Sequence, residues 1–223
     1  MIRIDRLALA LSAAILAAAL PCGALAANFD DWPTKYSFAD GTEISGTANV
    51  AYDVVDFSGD NGYGTAATAL SDDGHFRRRE FGVNLKKKDV YDFTAVFDFE
   101  AKVWLDVALR METKALFGAD YGKLRVGYFK TPVSMESVAA SRSGSMIELS
   151  AASQAIYQAR RTGVEWSMER PRYALSAAYF FGHDLQGDNP GTTAAGRAVW
   201  TPVKDKDHVV HLGLTASVEN PHG

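Results

Sequence analysis

Long stretches of period-two alternation constrain this chain more than any other feature of it. From Tyr91 to Ala101 the odd positions read Tyr91, Phe93, Ala95, Phe97, Phe99 and Ala101, while the even ones include Asp92, Thr94, Asp98 and Glu100. Val103, Leu105, Val107, Leu109 and Met111 then alternate with Asp106, Arg110 and Glu112. Successive side chains of a strand point to opposite sides of its sheet, so each such ribbon has one apolar face and one polar face. The template also fits Ile44 to Val54 in 42–55, Phe81, Val83 and Leu85 in 75–86, and Leu124, Val126 and Tyr128 in 121–130. It continues through Val164, Trp166 and Met168 in 161–169, Tyr173 to Phe181 in 172–182, and the segments 194–203 and 209–218. The pattern predicts an all-β chain of about nine strands, most of them near the ~9–11 residues that a tilted strand needs to cross a bilayer.

The first 26 residues follow different rules. Arg3 and Arg6 precede an apolar run from Leu7 to Leu20, and Ala24-Leu25-Ala26 supplies a small-residue cleavage site. That order predicts a signal peptide over 1–26 and a mature domain over 27–223. As a membrane anchor the run is too short, and it ends at Pro21. Cleavage removes Cys22, the only cysteine. An exported chain without disulfides must then be stabilised by burial, by closure of a sheet, or by lipid. The 23 basic and 27 acidic side chains and a pI of about 5.7 exclude the basic excess expected of a nucleic-acid binder.

Enzyme signatures are missing from the sequence. There is no H-E-x-x-H, no G-x-S-x-G and no phosphate-binding glycine loop, and His75, His183, His208, His211 and His222 are scattered. His208 and His211 are three apart, so on one strand they face opposite ways and share no metal. The expectation is a protein that is not an enzyme and holds neither metal nor cofactor.

The connections suggest what the alternation is for. Tight polar turns at 169–172 and 203–207 and a minimal linker at Lys102 contrast with the long stretches Asp56 to Gly74 and Gly182 to Thr193. Short turns at one end and long loops at the other organise outer-membrane barrels, although a soluble periplasmic sandwich also alternates. Tyr91, Trp104, Trp166, Tyr173 and Trp200 near strand ends fit the aromatic girdles of a membrane interface. Lys130 to Gln158 shows no alternation, and a segment that long in a compact domain is usually functional. It can fold inward and narrow a lumen, or cover the mouth from outside.

Two stretches carry a family resemblance. Gly127-Tyr128-Phe129-Lys130-Thr131-Pro132-Val133-Ser134-Met135-Glu136, continuing through Ser141-Arg142 and Met146-Ile147-Glu148 to Ala159-Arg160-Arg161-Thr162-Gly163, resembles the phosphate-selective porin O and P family. So does Phe76-Arg77-Arg78-Arg79-Glu80-Phe81. The resemblance implies an antiparallel transmembrane β-barrel of porin type with about 16 strands, trimeric, in the outer membrane of a Gram-negative bacterium. It also implies a third loop, here 130–160 with Pro132, Glu136 and Glu148, that constricts the lumen. With about nine strands and a loop-like tail from Val218 to Gly223, the chain reads as the N-terminal part of an incomplete barrel.

Anion passage needs basic side chains in a narrow wet stretch, where they offset the dehydration of a phosphate oxygen. The candidates are Arg77, Arg78 and Arg79, Lys130 and Arg142, and Arg160 and Arg161 where the long segment rejoins the sheet. If Phe81 and Val83 face lipid, Arg78 and Glu80 face the lumen. The triplet equally suits a rim that binds lipopolysaccharide phosphates, and Arg142 equally suits an ion pair with Glu136 or Glu148. Asp92, Asp98, Glu100, Asp106, Glu112 and Glu165 oppose Arg110, Lys123, Arg125 and Arg161 on the polar faces, a mixed wall that also fits general diffusion. The expected partners are small anionic solutes, outer-membrane lipid and two further copies of the chain.

Overall fold

The computed structural model describes residues 35–56, 73–138, 150–156, 159–182, 184–186 and 190–221. The expected signal peptide lies outside them. Ten strands form one antiparallel sheet in strict chain order: β1 (Lys35–Ser37), β2 (Thr42–Val55), β3 (Asp73–Lys87), β4 (Tyr91–Asp98), β5 (Val103–Glu112), β6 (Lys123–Lys130), β7 (Arg160–Arg170), β8 (Tyr173–Phe180), β9 (Thr192–Lys204) and β10 (Val209–Asn220). Among the described residues three short helices sit in connections: α1 (Thr113–Phe117), α2 (Met135–Val138) and α3 (Ala151–Ile156). None is long and apolar enough to cross a membrane.

The register turns alternation into two continuous surfaces. Phe81 faces Phe97, Phe93 faces Leu109, Val126 faces Val164, and Val164 faces Tyr179, so apolar residues line up on one face from strand to strand. Glu80 faces Asp98, Arg110 faces Arg125, and Arg125 faces Glu165 on the other. Residues directly opposed across a ladder share a face, so a slip of one residue would invert the whole arrangement. The apolar face is open: Phe81, Trp104, Trp200 and Leu214 are all exposed, the last at 75%. Among the described residues no second layer covers it. An aligned sandwich would bury this face against another sheet, whereas one open sheet fits part of a porin-type barrel.

Several boundaries depart from the alternation. β1 was not expected, because three residues are too few to display a period; they pair with Glu43 to Ser45. β4 stops at Asp98, before the expected Phe99 and Ala101, because the Asp98 carboxylate accepts hydrogen bonds from the Glu100 and Ala101 amides and Lys102 takes φ +57°. By chain order this tight turn shares an end of the sheet with the long connections after β2, β6 and β8, so short and long connections are not fully segregated. At the other end, α1 fills the β5–β6 connection and closes on Gly118 at φ +77°.

Gly127 shows why the strand that feeds the long segment carries a glycine. It sits at φ +133°, a left-handed conformation. A Cβ there would lie 2.7 Å from the Ala108 Cα and closer still to the Val107 carbonyl oxygen. Gly127→Ala should therefore cost about 2 kcal/mol or more. The midpoint of the heat-dependent shift in gel mobility should fall; an unchanged midpoint would mean that β5 and β6 can part without penalty.

Candidate functional site

The polar face is laced by charge pairs between neighbouring strands. Asp92 on β4 accepts from Arg110 on β5 at 2.9 Å through Nε. Lys123 on β6 reaches Glu112 on β5 at 2.7 Å. Arg125 donates through Nη2 to both oxygens of Glu165 at 2.9 Å, with its guanidinium 3.9 Å from the Phe129 ring centroid. On β3, Arg78 pairs with Glu80 at 2.9 Å, and Glu80 also accepts from Asn49 on β2. The strands place these groups: alternation selects the face, and register selects the partner.

The root of the long segment concentrates further charge. Lys130 and Arg160 form the last rung of the β6–β7 ladder, and the Thr131 amide donates to the Ala159 carbonyl just beyond it. Arg160 reaches across β6 to Asp106 on β5 at 3.2 Å. Lys130 lies within electrostatic reach of Arg160, Asp106, Arg78 and Glu80. Three of the sequence-predicted cations, Arg78, Lys130 and Arg160, thus lie within electrostatic reach of one another and of two carboxylates, although the register counts Lys130 and Arg160 to the side of Val126 and Val164.

The other candidates stand elsewhere. Arg77 occupies a bulge in β3, where the pairing of Ala51 with Arg78 is followed by that of Tyr52 with Phe76, and it bridges to Asp53 at 3.0 Å. Arg79 opposes Val50 on the apolar face, 5.3 Å from the Phe76 ring and ion-paired to Glu100. Arg161, expected in a lumen wall, is 5% exposed. Its Nε donates to Asp184 at 2.9 Å, Nη1 to Thr193 at 2.9 Å, and Nη2 to the Phe181 and Gly191 carbonyls. A guanidinium so fully engaged pins β7 to the β8–β9 connection instead of meeting solutes. Sequence reasoning missed this set because Asp184 and Gly191 lie 23 and 30 residues away in an irregular connection.

Of the loop residues, Pro132 is buried together with Thr131 and Val133. Glu136 accepts from the Ser150 amide and hydroxyl and from the Ser153 hydroxyl, tying α2 to the start of α3. Arg142 and Glu148 lie outside the described residues. Beneath the root, Ala108, Phe129, Ala178 and Phe180 form a small dry cluster, with Phe129 and Phe180 centroids 5.3 Å apart. Register assigns all four to the polar face. Burial there requires cover on that face.

The family model for phosphate-selective porin O and P matches residues 44–223. The chain belongs to that family. No curated protein matches it. Family membership gives a porin of the Gram-negative outer membrane, a channel in place of an enzyme, and the ten-stranded sheet fits part of a porin barrel. In that light the apolar face meets lipid and the polar face meets water.

Two predictions follow from the geometry of this porin. Asp184→Ala strands the buried Arg161 charge and should cost about 3–5 kcal/mol, the range for breaking a buried pair from one side. Thermal unfolding followed by tryptophan fluorescence or gel mobility measures it, and a loss below about 1 kcal/mol would mean that the carbonyls and Thr193 suffice. The second concerns Glu136, whose carboxyl is held below the ordinary glutamate range by the Ser150 hydroxyl, then by the Ser153 hydroxyl and the Ser150 amide. Its stabilisation is complete above the unfolded value of about 4.3 and is lost as pH falls through the lower folded value. Amide-exchange protection of Ser150 should be constant from pH 7 to about pH 5 and fall below about pH 4, a fall that Glu136→Gln abolishes.

Proposed function

We propose that this protein is a passive outer-membrane channel for small hydrophilic anions, phosphate or polyphosphate among them. Export by a signal peptide cleaved after Ala26 and assembly as a homotrimer belong to the same proposal. The observation that carries it is the gathering of Lys130, Arg160 and Arg78 where the long segment leaves and rejoins the sheet. The buried Thr131, Pro132 and Val133 and the dry cluster on the polar face support an inward course for that segment. Inward, it narrows the water-filled space beside those cations, and Arg142 on the same segment adds a further charge. Each cation offsets part of the dehydration of an anion in that narrow stretch, and arginine also matches a phosphate with its planar fork.

One observation favours a second reading, general diffusion without anion preference. Arg78, Arg110, Arg125, Arg160 and Lys123 each have a carboxylate within 3.2 Å, so much of the wall is neutralised in pairs. The zero-current potential of the reconstituted protein under a salt gradient separates the two. Anion selectivity gives a potential of the anion sign, and a cation sign overturns the anion reading. Arg160→Ala removes one positive charge and uncovers Asp106, so it should lower the anion-to-cation permeability ratio severalfold; Arg142→Ala should lower phosphate conductance. An Arg160→Ala channel with the wild-type ratio would remove the root of the segment from the anion path.

A further inference from the structure

Arg197 on β9 differs from every other arginine on the polar face. Arg78, Arg110 and Arg125 each have a carboxylate within 2.9 Å, and Arg161 has Asp184. Among the described residues Arg197 has none, and its Nη1 is shielded from solvent without any hydrogen-bond partner. Such a donor is costly to leave unmet, because it has lost water and gained nothing.

The register shows what surrounds it. Arg197 opposes Ser176 on β8 and Thr215 on β10, and Ser176 in turn opposes Ser167 on β7. One rung across four strands therefore carries two serines, a guanidinium and a threonine on the same face. The neighbours above and below are small: Ala178 faces Ala195, and Val199 faces Gly213. On the polar face its nearest neighbours along β9 are Ala195 and Val199. Arg197 also lies near the middle of β9 (Thr192–Lys204), away from the cations at the root of the long segment.

We propose that Arg197, flanked by the hydroxyls of Ser176 and Thr215, is an oxyanion-binding position at mid-depth in the channel wall, separate from the cluster of Lys130, Arg160 and Arg78. The recognised chemistry is a phosphate or carboxylate group of a small solute: the guanidinium fork donates to two oxygens and the hydroxyls complete the shell. The proposal rests on the reading of the polar face as water-filled. It gives a passing anion a second foothold, and weak sites in series are what conduction of a bound ion requires.

The test is block of chloride current by inorganic phosphate, and separately by acetate, in planar bilayers holding the purified protein, with heat-dependent gel mobility as the check on folding. Arg197→Gln should raise the half-blocking phosphate concentration about tenfold and Ser176→Ala about threefold, with Arg197→Lys falling between wild type and Arg197→Gln. Dependence on Arg197 in both arms assigns the position to oxyanions in general, and dependence in the phosphate arm alone assigns it to phosphates. Conducting Arg197→Gln channels with wild-type block in both arms overturn the site and leave the channel reading intact. If Arg197→Gln does not fold, Arg197→Lys and Ser176→Ala decide in the same way. If the wild-type protein forms no channel, the channel reading falls, and phosphorus-31 line broadening with the detergent-folded protein decides the site: equal broadening by wild type and Arg197→Gln overturns it.

Discussion

Hydrocarbon offers a backbone amide no hydrogen-bond partner, and the rest of the structure depends on that constraint. Each strand must satisfy its N–H and C=O groups from its neighbours, so the chain runs up and down in one antiparallel ladder from β1 to β10. Once the ladder is fixed, side chains have only two places to go. The apolar face can carry exposed Phe81, Trp104, Trp200 and Leu214 because lipid, not a second protein layer, is its solvent. The few buried apolar side chains among the described residues would not suffice to stabilise a water-soluble domain of this size, and here they are not asked to.

The same ladder governs electrostatics. Cations and carboxylates on adjacent strands of the polar face meet across rungs or diagonals, as Arg125 meets Glu165 and Arg110 meets Asp92. A pair of opposite charges a few ångströms apart has little field beyond a Debye length of about 8 Å. Much of the wall is therefore close to neutral as seen from mid-channel. The proposed anion preference then turns on two places: the root of the long segment, where Lys130, Arg160 and Arg78 stand with two carboxylates, and the rung of Arg197, which among the described residues has no carboxylate beside it.

Most of the sheet was legible in the sequence because period two is a local signal. Alternation alone put Arg78 and Glu80 on one face and Phe81 on the other, and the register agrees. The exceptions have specific causes. β1 is shorter than a detectable period, and the Asp98 turn depends on a side chain capping amides two and three residues on. The bulge opposite Ala51 and Tyr52 breaks the count that would otherwise decide where Arg77 points. Charges were harder to read than faces. Arg161 looks like a wall residue by composition, yet its fate is set by Asp184, Thr193 and Gly191 in and beyond an irregular connection. Arg197 carried one faint signal, a lone arginine among Thr193, Ala195 and Val199 on its face, but its lack of a partner emerges only from the register.

The long segment raises a different question, namely how its two ends are held together. Its ends are stapled twice. The Thr131 amide meets the Ala159 carbonyl, and the Thr131 hydroxyl approaches the same oxygen, across 28 residues. Glu136 then meets Ser150 across 14. Halving a loop lowers its closure entropy by only about 0.6 kcal/mol, so the inner staple adds little by chain statistics alone. Its value lies in direction. Thr131, Pro132 and Val133 leave β6 already buried, Gly127 permits the close approach of β5 beneath them, and Arg161 holds the neighbouring connection in place. With Thr131, Pro132 and Val133 committed by these contacts, the carboxylate of Glu136 needs only ordinary serine hydroxyls to capture the returning chain. The root is thus rigid because it is packed, and the clamp works because the root is rigid.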